Sequence, residues 1–136
     1  MTFIVVDASI WVARLVPQDI FYTNVKTWFD TQSKLETIFL SPGLMLAEVA
    51  GAISRRTGQQ QLGLQVITNL QQLSNLQLVE MDNRLMIDSA RLAARLGLRG
   101  ADSVYVAVAM RLNIPLATLD QDQKEKSASI IPICDL

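Results

Sequence analysis

The chain opens on a short β-branched run, Phe3 to Val6, that stops at an acid, Asp7. Such a run predicts a strand, and Ser9 to Val16, ended by Pro17, predicts a helix directly behind it. Asp7 is thereby delivered to the carboxyl tip of the first strand. Phe21, Val25, Trp28 and Phe29 recur at helical spacing within Phe21 to Lys34, and Thr37 to Leu40 follows as a second strand. Ser41 and Pro42 read as the cap and first residue of a helix that runs to Arg56 and stops at Gly58. Leu62, Val66, Leu70 and Leu73 mark another amphipathic helix, with Leu76 to Val79 as the next strand. Asp82 caps a helix carrying Leu85, Leu92 and Leu96, which halts at Gly97. Asp102 to Leu112 is apolar almost throughout and so predicts a buried helix, closed by Asn113 and Pro115. Leu116 to Leu119 and Ile130 to Ile133 complete the set as strands.

Strands alternating with helices of crossover length define an α/β fold, a parallel sheet with helices on both faces. In such sheets the functional crevice lies outside the carboxyl ends of the strands. There is no internal repeat or low-complexity tract, and Thr57 to Gln61 is the one polar linker.

Composition narrows the chemistry. With 136 residues, 50% hydrophobic and 18% charged, the expectation is a single domain over 1–136 with a real core. The apolar start is too short for a signal peptide, and no run approaches the roughly 18 residues of a membrane span. Lone Cys134 and no export signal point to a cytoplasmic, disulfide-free protein without a membrane partner. A formal net charge of -1 argues against indiscriminate binding to nucleic acid, so such binding would need a local basic patch. His 0 and Cys 1 exclude Ser-His-Asp triads, Cys-His nucleophiles and His- or Cys-based zinc sites. What survives is oxygen chemistry around a hard divalent cation, Mg²⁺ or Mn²⁺.

Four acids carry that reading: Asp7, Glu48, Asp102 and Asp120, each beside or inside an apolar stretch. Plain structural explanations exist for each. Asp7 and Asp102 could be helix caps and Asp120 a turn residue, while Glu48 could pair with a distant arginine. Glu48 has Leu44, Met45, Gly51 and Ala52 as its helical neighbours, so no base can pair with it locally. Three of the four fall at strand tips or helix starts on one edge of the expected sheet. Two like charges about 4 Å apart repel by roughly 4 kcal/mol at an effective dielectric near 20, so the cluster calls for a cation.

Four segments carry a likeness to a known family: Ile4-Val5-Val6-Asp7-Ala8-Ser9, Leu46-Ala47-Glu48-Val49, Arg99-Gly100-Ala101-Asp102-Ser103-Val104-Tyr105-Val106-Ala107, and Leu116-Ala117-Thr118-Leu119-Asp120. In order and approximate spacing they resemble the PIN-domain nucleases, most closely the small VapC-type toxins, over essentially the whole chain. The resemblance implies a three-layer α/β/α fold with about five parallel strands. It also implies an acidic pocket of Asp7, Glu48, Asp102 and Asp120 holding Mg²⁺ or Mn²⁺, with Ser9 and Thr118 in support and Asp122 as a lesser candidate. Metal-dependent cleavage of RNA, a cognate antitoxin whose cationic segment reaches the pocket, and a homodimer are the accompanying expectations. The apolar faces of Leu44 to Ile53 and Leu62 to Leu73 are the expected groove for an antitoxin helix, with packing on the sheet or a homodimer seam as the alternative. Arg14, Arg55, Arg56 and Arg99 are candidate RNA contacts through nearness to the acids in sequence.

Two other Mg²⁺ phosphoryl-transfer folds fit less well. Haloacid-dehalogenase-type phosphatases place a second Asp where this chain has Ser9, and Toprim-like domains, which suit Asp120-Gln121-Asp122, expect Glu where Asp7 stands. A catalytically quiet binding or scaffolding module is the rival of a different class, and the presence of all four acids counts against it.

Overall fold

The computed structural model describes residues 2–136. In chain order the elements are β1 (Phe3–Val6), α1 (Ala8–Leu15), α2 (Tyr22–Lys34), β2 (Ile38–Pro42), α3 (Leu44–Thr57), α4 (Gln60–Gln71), β3 (Leu76–Val79), α5 (Asn83–Leu96), α6 (Gly100–Leu112), β4 (Leu116–Ala117) and α7 (Gln121–Ser127). The four strands form one parallel sheet in the order β3-β2-β1-β4, flanked by the seven helices. β1 is central and, apart from Phe3, buried, as a β-branched run in a covered parallel sheet should be.

Local signals placed most boundaries. Gly58 and Gly97 end α3 and α5 with φ of 68° and 67°, the left-handed conformation glycine adopts without steric cost. Asp82 caps α5 by accepting from the Leu85 amide at 2.8 Å. α6 is buried from Ser103 to Ala109 and packs on β1, β2 and β4. α3 and α4 cross closely: a Cβ on Gly63 would stand 2.7 Å from the Ala50 carbonyl oxygen. Trp11, Trp28, Phe29 and Phe39 form one aromatic cluster, with centroids 5.1–6.0 Å apart, joining α1 and α2 to the sheet.

Three expectations change. Ser41 and Pro42 do not start α3 but end β2. The Ser41 hydroxyl is taken by the core, donating to the Val6 carbonyl at 2.6 Å and accepting from the Trp11 indole at 3.2 Å. The segment Ile130 to Ile133 is no strand, only a parallel bridge between Leu116 and Ile133. Pro132 lacks the N–H that would extend the ladder, and β4 is only two residues long. The hydrophobic pattern does not predict α7, because Gln121 to Ser127 has no apolar periodicity; Asp120 caps it by accepting from the Gln123 amide.

Candidate active site

Asp7 is the first residue after β1 and also the cap of α1. Its Oδ2 accepts from the Ser9 amide at 3.2 Å, the Ser9 hydroxyl at 2.6 Å and the Thr118 hydroxyl at 3.0 Å. The capping explanation is therefore correct but uses one oxygen. Asp7 is only 5% exposed, yet no sealed polar side-chain atom among the described residues lacks a partner, so its unpartnered Oδ1 reaches solvent. Burial pushes the Asp7 carboxyl above its ordinary 3.8, against the Ser9 and Thr118 hydrogen bonds.

Thr118 and Ser9 brace this carboxylate. The Ser9 hydroxyl accepts from the Leu119 amide at 3.0 Å, and the Thr118 hydroxyl accepts from the Asp120 amide at 3.1 Å. Thr118 also lies 2.9 Å from Gln123 Oε1, but its single proton goes to Asp7 or to Gln123, one at a time. Gln123, fully buried, donates in turn to the Asp102 carbonyl at 3.1 Å, so one side chain connects α7 and Thr118, just past β4, to α6.

Glu48 does not pair with an arginine. Its Oε1 accepts from the buried Tyr105 hydroxyl at 2.6 Å, a contact spanning 57 residues. Burial raises the Glu48 pKa above its ordinary 4.5, with Asp7 and Asp102 adding to the shift, while Tyr105 and Arg99 oppose it. Burial together with Glu48 pushes the Tyr105 phenol far up, so it stays a proton donor. Tyr105 and Gln123 were both missed as site residues. For Tyr105 the signal was a lone polar tip in an apolar helix, three residues after Asp102 and so on the same face.

Asp102 is not the cap of α6. The helix starts two residues earlier, at Gly100, because nothing in Gly100-Ala101 breaks it; the carboxylate then sits in the first turn, where the helix dipole favours it. Asp120 caps α7 by accepting from the Gln123 amide at 3.1 Å. Arg99 joins the two acids, its Nε donating to Asp102 at 3.1 Å and its Nη2 to Asp120 at 2.5 Å. Burial still raises the Asp102 pKa, with Asp120 and Asp122 adding to it against Arg99. Asp122 lies apart, more than half exposed and paired with Lys126 at 3.0 Å.

Glu48 and Asp120 line an open crevice of about 630 Å³ together with Ser9, Asp19, Arg55 and Arg56. Arg56 is anchored to Asp19 at 2.7 Å; burial would raise Asp19, but this bond and the Phe21 amide hold it below its ordinary 3.8. Arg14 lies over the Tyr22 ring at 6.0 Å and does not line this crevice. Among the described residues no three carboxylates stand ready to ligate one ion. Asp7, Glu48 and Asp102 each engage one oxygen and leave the other unpartnered, an all-oxygen donor set suited to a hard cation.

Neutralising one member tests this electrostatic description. Asp102→Asn removes a carboxylate whose ionisation burial opposes, so the melting temperature in chelator should rise by a few degrees. Arg99→Gln leaves Asp102 and Asp120 without their cation and should lower it. Arg99 is 74% exposed, so its effect stays within about 1 kcal/mol. A fall for Asp102→Asn equal to that for Arg99→Gln would assign the pair a purely structural role.

A parallel α/β sheet with an acid-lined crevice at its carboxyl edge defines the class. The chain belongs to the PIN-domain family, whose family model matches residues 4–128. No curated protein matches the chain by sequence. Among solved structures, Mycobacterium tuberculosis VapC20, described as a sarcin-ricin-loop-cleaving toxin, is similar with a TM-score of 0.81 at 16% identity, covering 97% of this chain and 99% of that one. FitAcB from Neisseria gonorrhoeae gives 0.70 at 17% identity over 97% and 96%. VapBC2 from Rickettsia felis, bound to a DNA fragment of its promoter, gives 0.67 at 17% over 98% and 100%. At these identities the likeness is one of fold. No helix among the described residues is long and apolar enough to cross a membrane.

Proposed function

We propose that this protein is a metal-dependent endoribonuclease and the toxin of a toxin-antitoxin pair. The observation that carries it is that three segments bring the charges of Asp7, Glu48 and Asp102 near one another, with Asp120 tied to Asp102 through Arg99. Those four side chains are the ones that would hold Mg²⁺ or Mn²⁺. Such an ion supplies Lewis-acid stabilisation of the charge building on a scissile phosphodiester and acidifies water beside it.

The chain's own groups do the positioning. Ser9 and Thr118 orient Asp7, Tyr105 fixes Glu48, and Arg99 holds Asp102 and Asp120 together. Arg55 lines the crevice with Glu48 and makes no ion pair among the described residues, so it can hold a backbone phosphate beside the acids. An antitoxin partner is supported by a groove of about 310 Å³ whose lining includes Leu15, Phe29, Leu70 and the exposed Leu73, with Leu62 also exposed on α4. A second copy of the chain is the competing occupant.

The test is incubation of purified protein with end-labelled structured RNAs, with Mg²⁺ or Mn²⁺ and then with chelator. Discrete internal cleavage with metal, lost in chelator, is expected. Cleavage undiminished in chelator would remove the metal from the reading, and no cleavage of any RNA would remove the nuclease.

A further inference from the structure

We infer that the groove between α5 and α6 is a track for the phosphate backbone of single-stranded RNA, leading the strand toward the acidic crevice. The inference rests on the ribonuclease reading and adds where the substrate lies.

Arg84, Asp88, Arg91 and Arg95 fall four, three and four residues apart, which on a helix makes one narrow stripe. At about 1.5 Å per residue it is roughly 16 Å long. Arg111 reaches the same groove from α6, over a floor that includes Leu92, Ala107 and Met110. Four of the chain's 12 basic residues thus line one groove of about 360 Å³, in a protein of formal charge -1.

Asp88 is the one acid there, 3.3 Å from Arg111 and 4.0 Å from Arg91. Arg84 and Arg95 make no ion pair among the described residues. Asp88 can neutralise only part of this charge: three arginines share its helix face and Arg111 faces it, so the groove keeps a net positive charge. A line of guanidinium forks along one groove suits a polymer of repeated phosphates.

The row also runs the right way. Arg95 precedes Arg99 by four residues, so the chain limits their Cα separation to about 15 Å, and Arg99 touches Asp102 and Asp120. Between them the Gly97 carbonyl accepts from Lys126 at 2.9 Å, and Lys126 is itself paired with Asp122. The track and the acid cluster are therefore neighbours.

The experiment uses the full chain carrying Asp7→Asn, so that RNA is bound and not cut, and follows fluorescence anisotropy of a labelled single-stranded RNA against salt. Adding Arg91→Gln and Arg95→Gln, exposed changes between good helix formers, should weaken binding about tenfold and flatten the slope of log K against log salt by about 1.4. The matched control, Lys26→Gln with Lys34→Gln on α2, should change neither. Equal effects of the two pairs would overturn the track, since only net charge would matter. So would unchanged RNA binding with lost self-association in sedimentation, which would make this face a contact between copies. If wild type cuts RNA while the arginine pair has no effect, the track fails and the nuclease stands. If wild type neither binds nor cuts RNA, both fail.

Discussion

Asp7→Asn is expected to lower metal-dependent RNA cleavage by on the order of 10² to 10³-fold, the cost of removing one charged group from a preorganised electrostatic site. The fold should survive, because the amide oxygen can still accept from the Ser9 amide and hydroxyl and so keep the cap of α1. Its melting temperature in chelator should equal or exceed that of wild type, since burial disfavours the charge being removed. Asp7→Ala separates the two roles: it loses the cap as well and should be less stable by about 0.5–2 kcal/mol. Full cleavage by Asp7→Asn would sink the catalytic assignment.

Metal-free protein should be more stable at mildly acidic than at neutral pH. Asp7, Glu48 and Asp102 have folded pKa values above their ordinary 3.8, 4.5 and 3.8. Over the interval from those ordinary values up to the raised ones, the native state holds protons the unfolded chain has released. Stability therefore falls as pH rises through that window. Asp19, held low with Arg56, works in the opposite sense, and its contribution is lost as pH falls through its depressed folded value. A divalent cation binds the ionised carboxylates and should reverse the neutral-pH loss, by about 2.7 kcal/mol at a hundred times its dissociation constant. Melting curves in chelator and in Mg²⁺ or Mn²⁺ from pH 4.5 to 8 check this. A metal-free melting temperature that climbs steadily toward pH 8, or no metal effect at neutral pH, would mean that the acids do not act as one site.

The candidate site was readable in sequence wherever a local rule placed a residue. Asp7 follows a β-branched strand, Asp120 follows Thr118-Leu119, and Glu48 sits unpaired on an apolar helical face; each position depends only on residues a few steps away. The same holds for the buried α6 and for the stops at Gly58 and Gly97. Errors came where a local signal met a distant competitor. Ser41 had the look of a cap, but its hydroxyl goes to Val6, 35 residues away, and to the Trp11 indole. Asp102 too had the look of a cap, but its carboxylate answers to Arg99 and helps form a group with Asp120.

Residue order alone therefore determined the alternation of strands and helices, and with it the parallel sheet whose carboxyl edge collects three of the four acids. It also excluded Ser-His-Asp triads, Cys-His nucleophiles and zinc sites built on His or Cys, which directed the reading to carboxylates. Only the tertiary structure decided what holds each acid: Tyr105 for Glu48, Ser9 and Thr118 for Asp7, Arg99 for Asp102 with Asp120. It alone gathered the arginines of α5 and α6 into one groove. The physical reason is range. Periodicity, caps and breakers act within about one helical turn, whereas the Thr118 bond to Asp7 closes a separation of 111 residues that no local pattern encodes.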